Sequence, residues 1–463
     1  MRNDSTGEVH VKQLRRDLKN RHIQLIALGG AIGTGLFYGS ATTIKMVGPG
    51  ITVSYLLGGL IIFFIMRALG EMSVDEPVSG SFSHYAYRHW GGFPGFLAGW
   101  NYWLNYIIVA MAELTAVGAY VQFWWHSAPA WLSALIFWVF ITLVNLANVK
   151  AYGEFEFWFA LIKVVAIIAM ILLGLVLVFM RTSHGGTVAG VNNLWIHGGF
   201  FPHGSKGFLQ SLVVVMFSFG GIELIGITAG EAHQPEKSIP RAINQVIWRI
   251  LIFYVGALAV ILMIYPWNAV GSSGSPFVEI FKNIGIPAAA FILNIVVLTA
   301  ALSTFNSGLY SNGRMLHGLA VQGNAPKTFL RLCPNGSPVT GILVSAGCIA
   351  LTVLLNYLFP GKAFMYLISA ATIAAIINWT MILLTQLFFR KGKGEATRDL
   401  LFKMPFYPAS SYVSLAFLAL VVVVMAFMSD MRMALYIAPI WIVFLFIAYR
   451  IKTSVNTNKQ STM

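Results

Sequence analysis

Four glycines fall within one short apolar stretch near the start of the chain, Gly29-Gly30-Ala31-Ile32-Gly33-Thr34-Gly35. Each glycine costs a helix interior roughly 1 kcal/mol relative to alanine, so the stretch favours an interrupted helix. An interruption exposes N–H groups where one half-helix begins and C=O groups where the other ends. These ends attract a carboxylate and an ammonium, respectively. The stretch therefore predicts a binding site for a zwitterion, and close packing of helices through small residues is the competing interpretation.

A second glycine pair, Gly220-Gly221, interrupts a later apolar segment. We expect Gly33, Thr34 and Gly35 to donate to the substrate carboxylate, and the carbonyls near Phe217, Ser218 and Gly220 to accept from its amine. Phe217 lies beside the interruption and is predicted to cover the substrate as a gate. The expected substrate-contacting residues of the two stretches are Ile32, Gly33, Thr34, Gly35, Phe217, Ser218, Phe219 and Gly220.

Three ionisable side chains lie in apolar segments: Glu113, Lys163 and Glu223. A charge at the middle of a bilayer costs roughly 2.5–3.5 kcal/mol on insertion scales, so such residues usually serve a function. We expect all three to exchange protons during transport, and Glu223 also to contact the substrate. The alternatives are a polar bond between helices for Glu113 and an extended Lys163 side chain that reaches the membrane surface.

Further polar residues complete the predicted site. Asn105, Ser303 and Asn306 are candidates to line a substrate cavity, and Glu231 is a candidate for an inner gate, with an ordinary solvated loop as its alternative. No cluster with metal-ligand spacing and no nucleophile–base set is apparent in the sequence. We therefore expect no metal, no cofactor and no enzymatic activity.

The composition places these residues in a membrane protein. Of 463 residues, 57% are hydrophobic and 10% are charged, against roughly 25% charged in a soluble protein. About twelve helices of roughly 20 residues fit this length. Such spans would leave most of the 30 Lys and Arg residues on one side, which the positive-inside rule explains better than nucleic-acid binding. Both termini are accordingly predicted to be cytoplasmic.

The predicted spans form a repeat. Spans 1 and 6 carry the two interruptions. Their offset of five spans is odd, so the two halves have opposite orientations in the bilayer, which is typical of a transporter's substrate site. The predicted organisation is an arm (1–22), a first repeat (23–180), a second repeat (207–389), two further helices (408–450) and a tail (451–463). The expected fold is all-α, with twelve transmembrane helices, two halves of opposite orientation and discontinuous helices 1 and 6.

Several stretches resemble bacterial permeases of the amino acid transporter family, within the amino acid–polyamine–organocation superfamily. Matching stretches are Asn20–Phe37, Met66–Met72, Gly153–Phe159 and Gly226–Ala232. Gly99–Trp103, Ala112–Ala116 and Gln322–Lys327 look most like the aromatic amino acid and phenylalanine permeases. Leu36–Ala41 and Ile264–Asn268 look more like the proline or histidine permeases.

This resemblance implies a leucine-transporter-type fold, which is a five-plus-five inverted repeat with two extra helices. It also implies proton-driven uptake across the inner membrane. It places Lys163 where sodium-coupled relatives hold an ion, and Glu223 at the acidic position that follows the second interruption. The expected function is proton-coupled import of a bulky neutral L-amino acid, aromatic in the first instance. The expected partners are the amino acid, protons and the lipid bilayer, without nucleic acid. A proline or histidine permease is one alternative, and a non-transporting amino acid sensor is another.

Overall fold

The structure of the protein is a computed structural model, which describes residues 32–78, 80–147, 149–184, 187–227, 234–271, 275–333, 336–359 and 361–461. Two short strands, β1 (Ser183–His184) and β2 (Thr187–Val188), pair antiparallel. The helices are α1 (Thr34–Phe37), α2 (Gly39–Val47), α3 (Ile51–Asp75), α4 (Ser81–His89), α5 (Gly92–Gln122), α6 (Ala130–Ala147), α7 (Val149–Phe179), α8 (Gly204–Phe217), α9 (Leu224–Ile227), α10 (Pro235–Arg249), α11 (Ala257–Ile264), α12 (Pro276–Asn283), α13 (Pro287–Val321), α14 (Val339–Ile349), α15 (Leu351–Leu358), α16 (Ala363–Lys393), α17 (Ala409–Ala426) and α18 (Met433–Ser461).

Helix length and composition establish a multi-pass membrane protein. Within the described ranges, nine helical stretches are long and apolar enough to cross a bilayer, and α6 and α8 are shorter apolar helices. Helices satisfy their own backbone hydrogen bonds, which spanning a bilayer requires. In the part of the chain that the structure describes, the secondary structure is therefore helical apart from the short β1–β2 hairpin.

The helices differ in how much of their apolar surface the protein covers. About three quarters of the most apolar part of α5 and of the α16 stretch is buried, at 72% and 78% respectively. The corresponding values are 28% for α7 and 11% for α18. Lipid tails solvate exposed apolar side chains, so α7 and α18 are suited to the periphery. The well-buried helices α5, α13 and α16 contribute Glu113, Ser303 and Arg390 to the contacts described below, and α7 contributes Glu156 and Lys163.

Local sequence explains several helix starts. Proline occupies the first helical position of α10, α12 and α13, where its missing N–H leaves no hydrogen bond unmade. Between α10 and α11, residues Ile250–Gly256 form a π-helix. The sequence analysis did not predict this wider turn.

Some predicted boundaries differ from the structure. The predicted span 6 (207–232) begins earlier, at Gly204, and its first helix ends at Phe217. The last helix continues to Ser461, through most of the predicted tail (451–463). Gly29, Gly30 and Ala31 lie outside the described residues, so the first glycine stretch is described from Ile32 onward.

Candidate functional site

The described part of the first glycine stretch begins with extended backbone. Gly33 has φ −124° and ψ −152°, and α1 starts at the next residue. The Thr34 N–H donates to both carboxylate oxygens of Glu113, each at 3.2 Å. A Cβ atom on Gly33 would lie 2.6 Å from the Thr304 hydroxyl and would also overlap the Glu113 carboxylate. Glycine is therefore required for Glu113 to reach the start of α1.

The second glycine pair lies in an irregular segment between α8 and α9. Gly221 has a φ of +99°, a region that glycine adopts without strain. The Phe217 carbonyl accepts from the Gly220 N–H at 3.0 Å, and the Ser218 carbonyl accepts from the Tyr254 hydroxyl at 3.2 Å. Two of the carbonyls predicted to bind an amine thus have donors within the protein.

The two irregular segments lie against each other. A Cβ atom on Gly35 would lie 2.6 Å from the Ser218 Cα. The Ser218 hydroxyl, in turn, is 2.8 Å from the Tyr55 hydroxyl of α3. The close approach of α1 to Ser218 depends on the missing side chain at Gly35, and α3 holds Ser218 from the other side.

Lys163 joins the same region from α7. Its ammonium donates to the Ile32 carbonyl at 3.3 Å and to the Ser303 hydroxyl at 2.9 Å. Ser303 donates onward to Glu156 at 2.6 Å. Because Lys163 is fully buried, its side chain does not extend to the membrane surface in this structure. At the start of α1, the Thr34 N–H thus binds the Glu113 carboxylate and the Ile32 carbonyl binds the Lys163 ammonium.

The predicted asparagines lie in different surroundings. Asn306 donates to Glu156 at 3.5 Å and accepts from Asn145 at 2.9 Å, so it belongs to a network between α13, α7 and α6. Asn105 is buried in α5, and neither atom of its amide has a hydrogen bond within the described part of the chain.

The remaining predicted residues are spread around the second irregular segment. Phe219 packs against the rings of Tyr55 and Tyr254, with centroid distances of 5.7 Å and 5.3 Å. The Trp379 indole of α16 lies 3.5 Å from the Glu223 carboxylate. Phe217 is buried at the end of α8.

Glu231 lies outside the described residues. In the ranges that the structure describes, no group of three His, Cys, Asp or Glu side chains is arranged to hold a metal ion.

Sequence reasoning missed Glu156 and Tyr55 as members of the site. Glu156 precedes Lys163 by seven residues, two helical turns, so both side chains project from one face of α7. That spacing, together with a carboxylate in an apolar helix, was a usable signal. Tyr55 gave no comparable signal, since a tyrosine in an apolar span is ordinary and its contact with Ser218 joins residues 163 positions apart.

Comparison with known proteins identifies the family of the chain. The family model described as "Amino acid permease" matches residues 22–461. The aromatic amino acid transport protein AroP of Escherichia coli (strain K12) is 54% identical over 446 residues, covering 96% of this chain and 97% of the relative. AroP of Salmonella typhimurium (strain LT2) is 55% identical over the same shares. The uncharacterized amino acid permease YtnA of Bacillus subtilis (strain 168) is 54% identical, covering 95% of each chain. These relatives are named as transport proteins or permeases rather than enzymes, in agreement with the sequence analysis. Since the family model matches nearly the whole sequence, the chain belongs to the amino acid permease family.

Proposed function

We propose that the protein is a proton-coupled importer of aromatic L-amino acids across the inner membrane. The observation that carries the proposal is the pair of contacts at the start of α1: the Glu113 carboxylate on the Thr34 N–H and the Lys163 ammonium on the Ile32 carbonyl. These are the two charged groups of an α-amino acid. The backbone at the start of α1 binds a carboxylate and an ammonium that belong to two different side chains. It is therefore suited to bind the carboxylate and the ammonium of a single substrate.

In this proposal the carboxylate of the substrate replaces the Glu113 carboxylate at Thr34 and Gly35. The amine of the substrate binds the carbonyls of Ile32 and Gly220, one in each irregular segment. Ser218, Ser303 and Asn105 supply further polar contacts. Phe217 closes over the side chain, and Phe219 and Asn306 line the substrate cavity. Glu231 serves as the inner gate.

Proton coupling is assigned to Glu113, Lys163 and Glu223. All three are buried, where the cost of a charge depends strongly on its partners. When substrate displaces Glu113 from Thr34, the carboxylate loses a charge-stabilising donor, and uptake of a proton then removes its charge. Lys163 lies between Glu156 and Ile32, so the same displacement changes its surroundings. The absence of an acidic cluster in the sequence favours protons over sodium.

The aromatic substrate class comes from the AroP relatives, which are named aromatic amino acid transport proteins. We further propose the twelve-helix arrangement, with residues 23–180 and 207–389 as inverted repeats, 408–450 as two added helices, and the arm 1–22 and tail 451–463 in the cytoplasm. This orientation places most Lys and Arg residues on the inner side.

The test is uptake of labelled phenylalanine into proteoliposomes, with and without an inward proton gradient. We expect accumulation only with the gradient, and competition by tyrosine and tryptophan in a panel of twenty amino acids. Competition led by proline or histidine would overturn the aromatic class. Saturable binding without accumulation would overturn transport and indicate a sensor.

Lys163→Ala tests the coupling. We expect gradient-driven accumulation to fall at least tenfold, because the variant lacks the ammonium that donates to the Ile32 carbonyl at the start of α1. Substrate exchange should fall only a few-fold. Lys206→Ala, at an exposed lysine preceding the membrane part of α8, is the matched control. Equal loss of accumulation and exchange in Lys163→Ala would assign the residue a purely structural role.

A further inference from the structure

A cavity of about 360 Å³ lies at the end of the molecule where α5 ends and α16 begins. Its wall combines aromatic rings with polar and charged side chains, including Tyr38, Tyr120, Phe123, Ser275, Glu279 and Phe364. Exposed side chains of His126 and Lys282 also line it, so the cavity is continuous with the protein surface. Its volume falls within the range of small-molecule sites, roughly 300–1,000 Å³.

Three aromatic side chains separate this cavity from the start of α1. The Tyr38 ring packs edge-on against Phe364 at 4.4 Å and against Tyr120 at 6.2 Å between centroids. Tyr38 lies one turn after Thr34, and its N–H donates to the Thr34 carbonyl at 2.7 Å. We call Tyr38, Tyr120 and Phe364 the aromatic floor.

The position of Tyr120 also places the aromatic floor between the cavity and the start of α1. It lies seven residues, two turns or about 10 Å, after Glu113 along α5. Both α1 and α5 therefore run from the Thr34–Glu113 contact to the floor of the cavity. A solute in the cavity is one aromatic layer away from the site proposed for transport.

The cavity carries the groups that an aromatic amino acid requires. Glu279 and Lys282, both on α12, offer a carboxylate for an ammonium and an ammonium for a carboxylate. The Lys282 ammonium lies 5.9 Å from the centre of the Phe123 ring, so the cation and an aromatic wall are adjacent.

Two further hydroxyls lie in the wall. Those of Ser275 and Tyr120 are buried and have no hydrogen bond within the described part of the chain. Their side chains are 3% and 1% exposed. Polar groups buried at this level are normally paired, so both are suited to a polar solute.

We propose that this cavity is a second, outer binding site for a zwitterionic amino acid with an aromatic side chain. Glu279 binds its amine, Lys282 its carboxylate, and the aromatic floor stacks against its ring. The substrate rests here before Tyr38 and Phe364 part and admit it to Thr34. This inference rests on the proposed function, which supplies the substrate class.

The test counts bound phenylalanine on the purified full chain by equilibrium dialysis, with uptake measured on the same preparation. We expect two molecules per chain in the unmodified protein and one in Glu279→Gln, which keeps the side-chain shape and removes the charge. Glu395→Gln, at an exposed glutamate beyond the opposite end of α16, should retain two. Ala119→Trp, which fills the cavity, should also bind one.

The outcomes separate the two proposals. One molecule per chain in the unmodified protein, with normal gradient-driven uptake, overturns the outer site and leaves the proposed function intact. Two molecules in Glu279→Gln and in Ala119→Trp also overturn the outer site. A preparation with neither uptake nor binding of any amino acid overturns the proposed function, and the outer site with it.

Discussion

The two ends of α16 hold their charged groups in opposite ways. At the first end, Phe364 forms part of a cavity into which the half-buried Glu279 and the exposed Lys282 project. At the second end, about 39 Å away by helical rise, Arg390 pairs with the fully buried carboxylate of Glu71 on α3. One end leaves space beside its charges, and the other encloses them.

Glu71 is surrounded by donors from several segments. Arg390 Nε donates to it at 2.7 Å, Gln386 Nε2 at 3.1 Å and the Met404 N–H at 2.7 Å. Ser411 of α17 donates to Gln386 at 3.1 Å, which extends the network to a third helix. We call Glu71, Gln386, Arg390 and Met404 the Glu71 cluster.

This difference between the two ends of α16 indicates at which end the protein is open to solute. A buried charge whose acceptors are all satisfied resists separation, because parting its donors leaves it uncompensated. Charges beside a cavity can exchange their partners for a solute. We infer that this conformation admits solute at the Phe364 end and is closed by the Glu71 cluster at the Arg390 end, which the proposed orientation places in the cytoplasm.

The largest effect is expected at the closed end. Glu71→Gln leaves the Arg390 guanidinium buried without its counter-charge and should lower the free energy of unfolding by about 3 kcal/mol. Denaturant unfolding in detergent measures it. Asp75→Asn is the control, since Asp75 and its partner Lys393 are partly exposed and should contribute less than about 1 kcal/mol. Equal losses in the two variants would remove the distinction between an enclosed cluster and a surface ion pair.

Between the two ends, Gly35 sets the contact of α1 with Ser218. Gly35→Ala should weaken phenylalanine binding at least tenfold, because the new Cβ would lie 2.6 Å from the Ser218 Cα and force the irregular segments apart. Gly39→Ala is the matched control: its Cβ would meet Val214 at 3.7 Å, an ordinary contact. Isothermal titration with phenylalanine compares them. Unchanged affinity in Gly35→Ala would rule out Thr34 and Gly35 as the carboxylate site.

The smallest effect is expected at the open end and depends on pH. Burial raises the pKa of Glu279, against opposing contributions from the Gly271 N–H and from Lys45 and Lys282, and His126 also lines the cavity. Lowering the pH should therefore neutralise Glu279 above the usual carboxyl range and reduce bound phenylalanine from two molecules per chain toward the one expected in Glu279→Gln. Dialysis between pH 4 and pH 8 follows the change. Because Glu279→Gln has no carboxylate to neutralise, a similar pH dependence in that variant would assign the effect to another group.

Much of the candidate site was predictable from residue types along the chain. Glycines in an apolar stretch indicated the irregular backbone at Gly33 and Gly221, and charges in apolar helices singled out Glu113 and Lys163. These signals are local, since helix propensity and the cost of a buried charge act at the residue itself. Family membership and the all-helical membrane fold follow from the same kind of signal, spread over the whole length.

Contacts between distant residues were not predictable in this way. Phe219 was singled out beside the second interruption, but the contacts of its ring with Tyr55 and Tyr254 follow only from the packing of separate segments. Glu71 was not among the predicted site residues, and its partner Arg390 is 319 positions away. Neither pattern nor propensity specifies which side chains meet when helices far apart in sequence pack together.

Residue types and spacing thus decided that this chain crosses a membrane, where its backbone is irregular and which charges are placed among apolar residues. Helix packing decided that Glu113 reaches Thr34, that Lys163 reaches Ile32, that a cavity opens beside Phe364 and that Glu71 is enclosed near Arg390. The physical reason is the range of the interactions. Backbone preference and hydration cost are properties of a segment, whereas a donor, a cavity wall or a counter-charge exists only where separate helices come together.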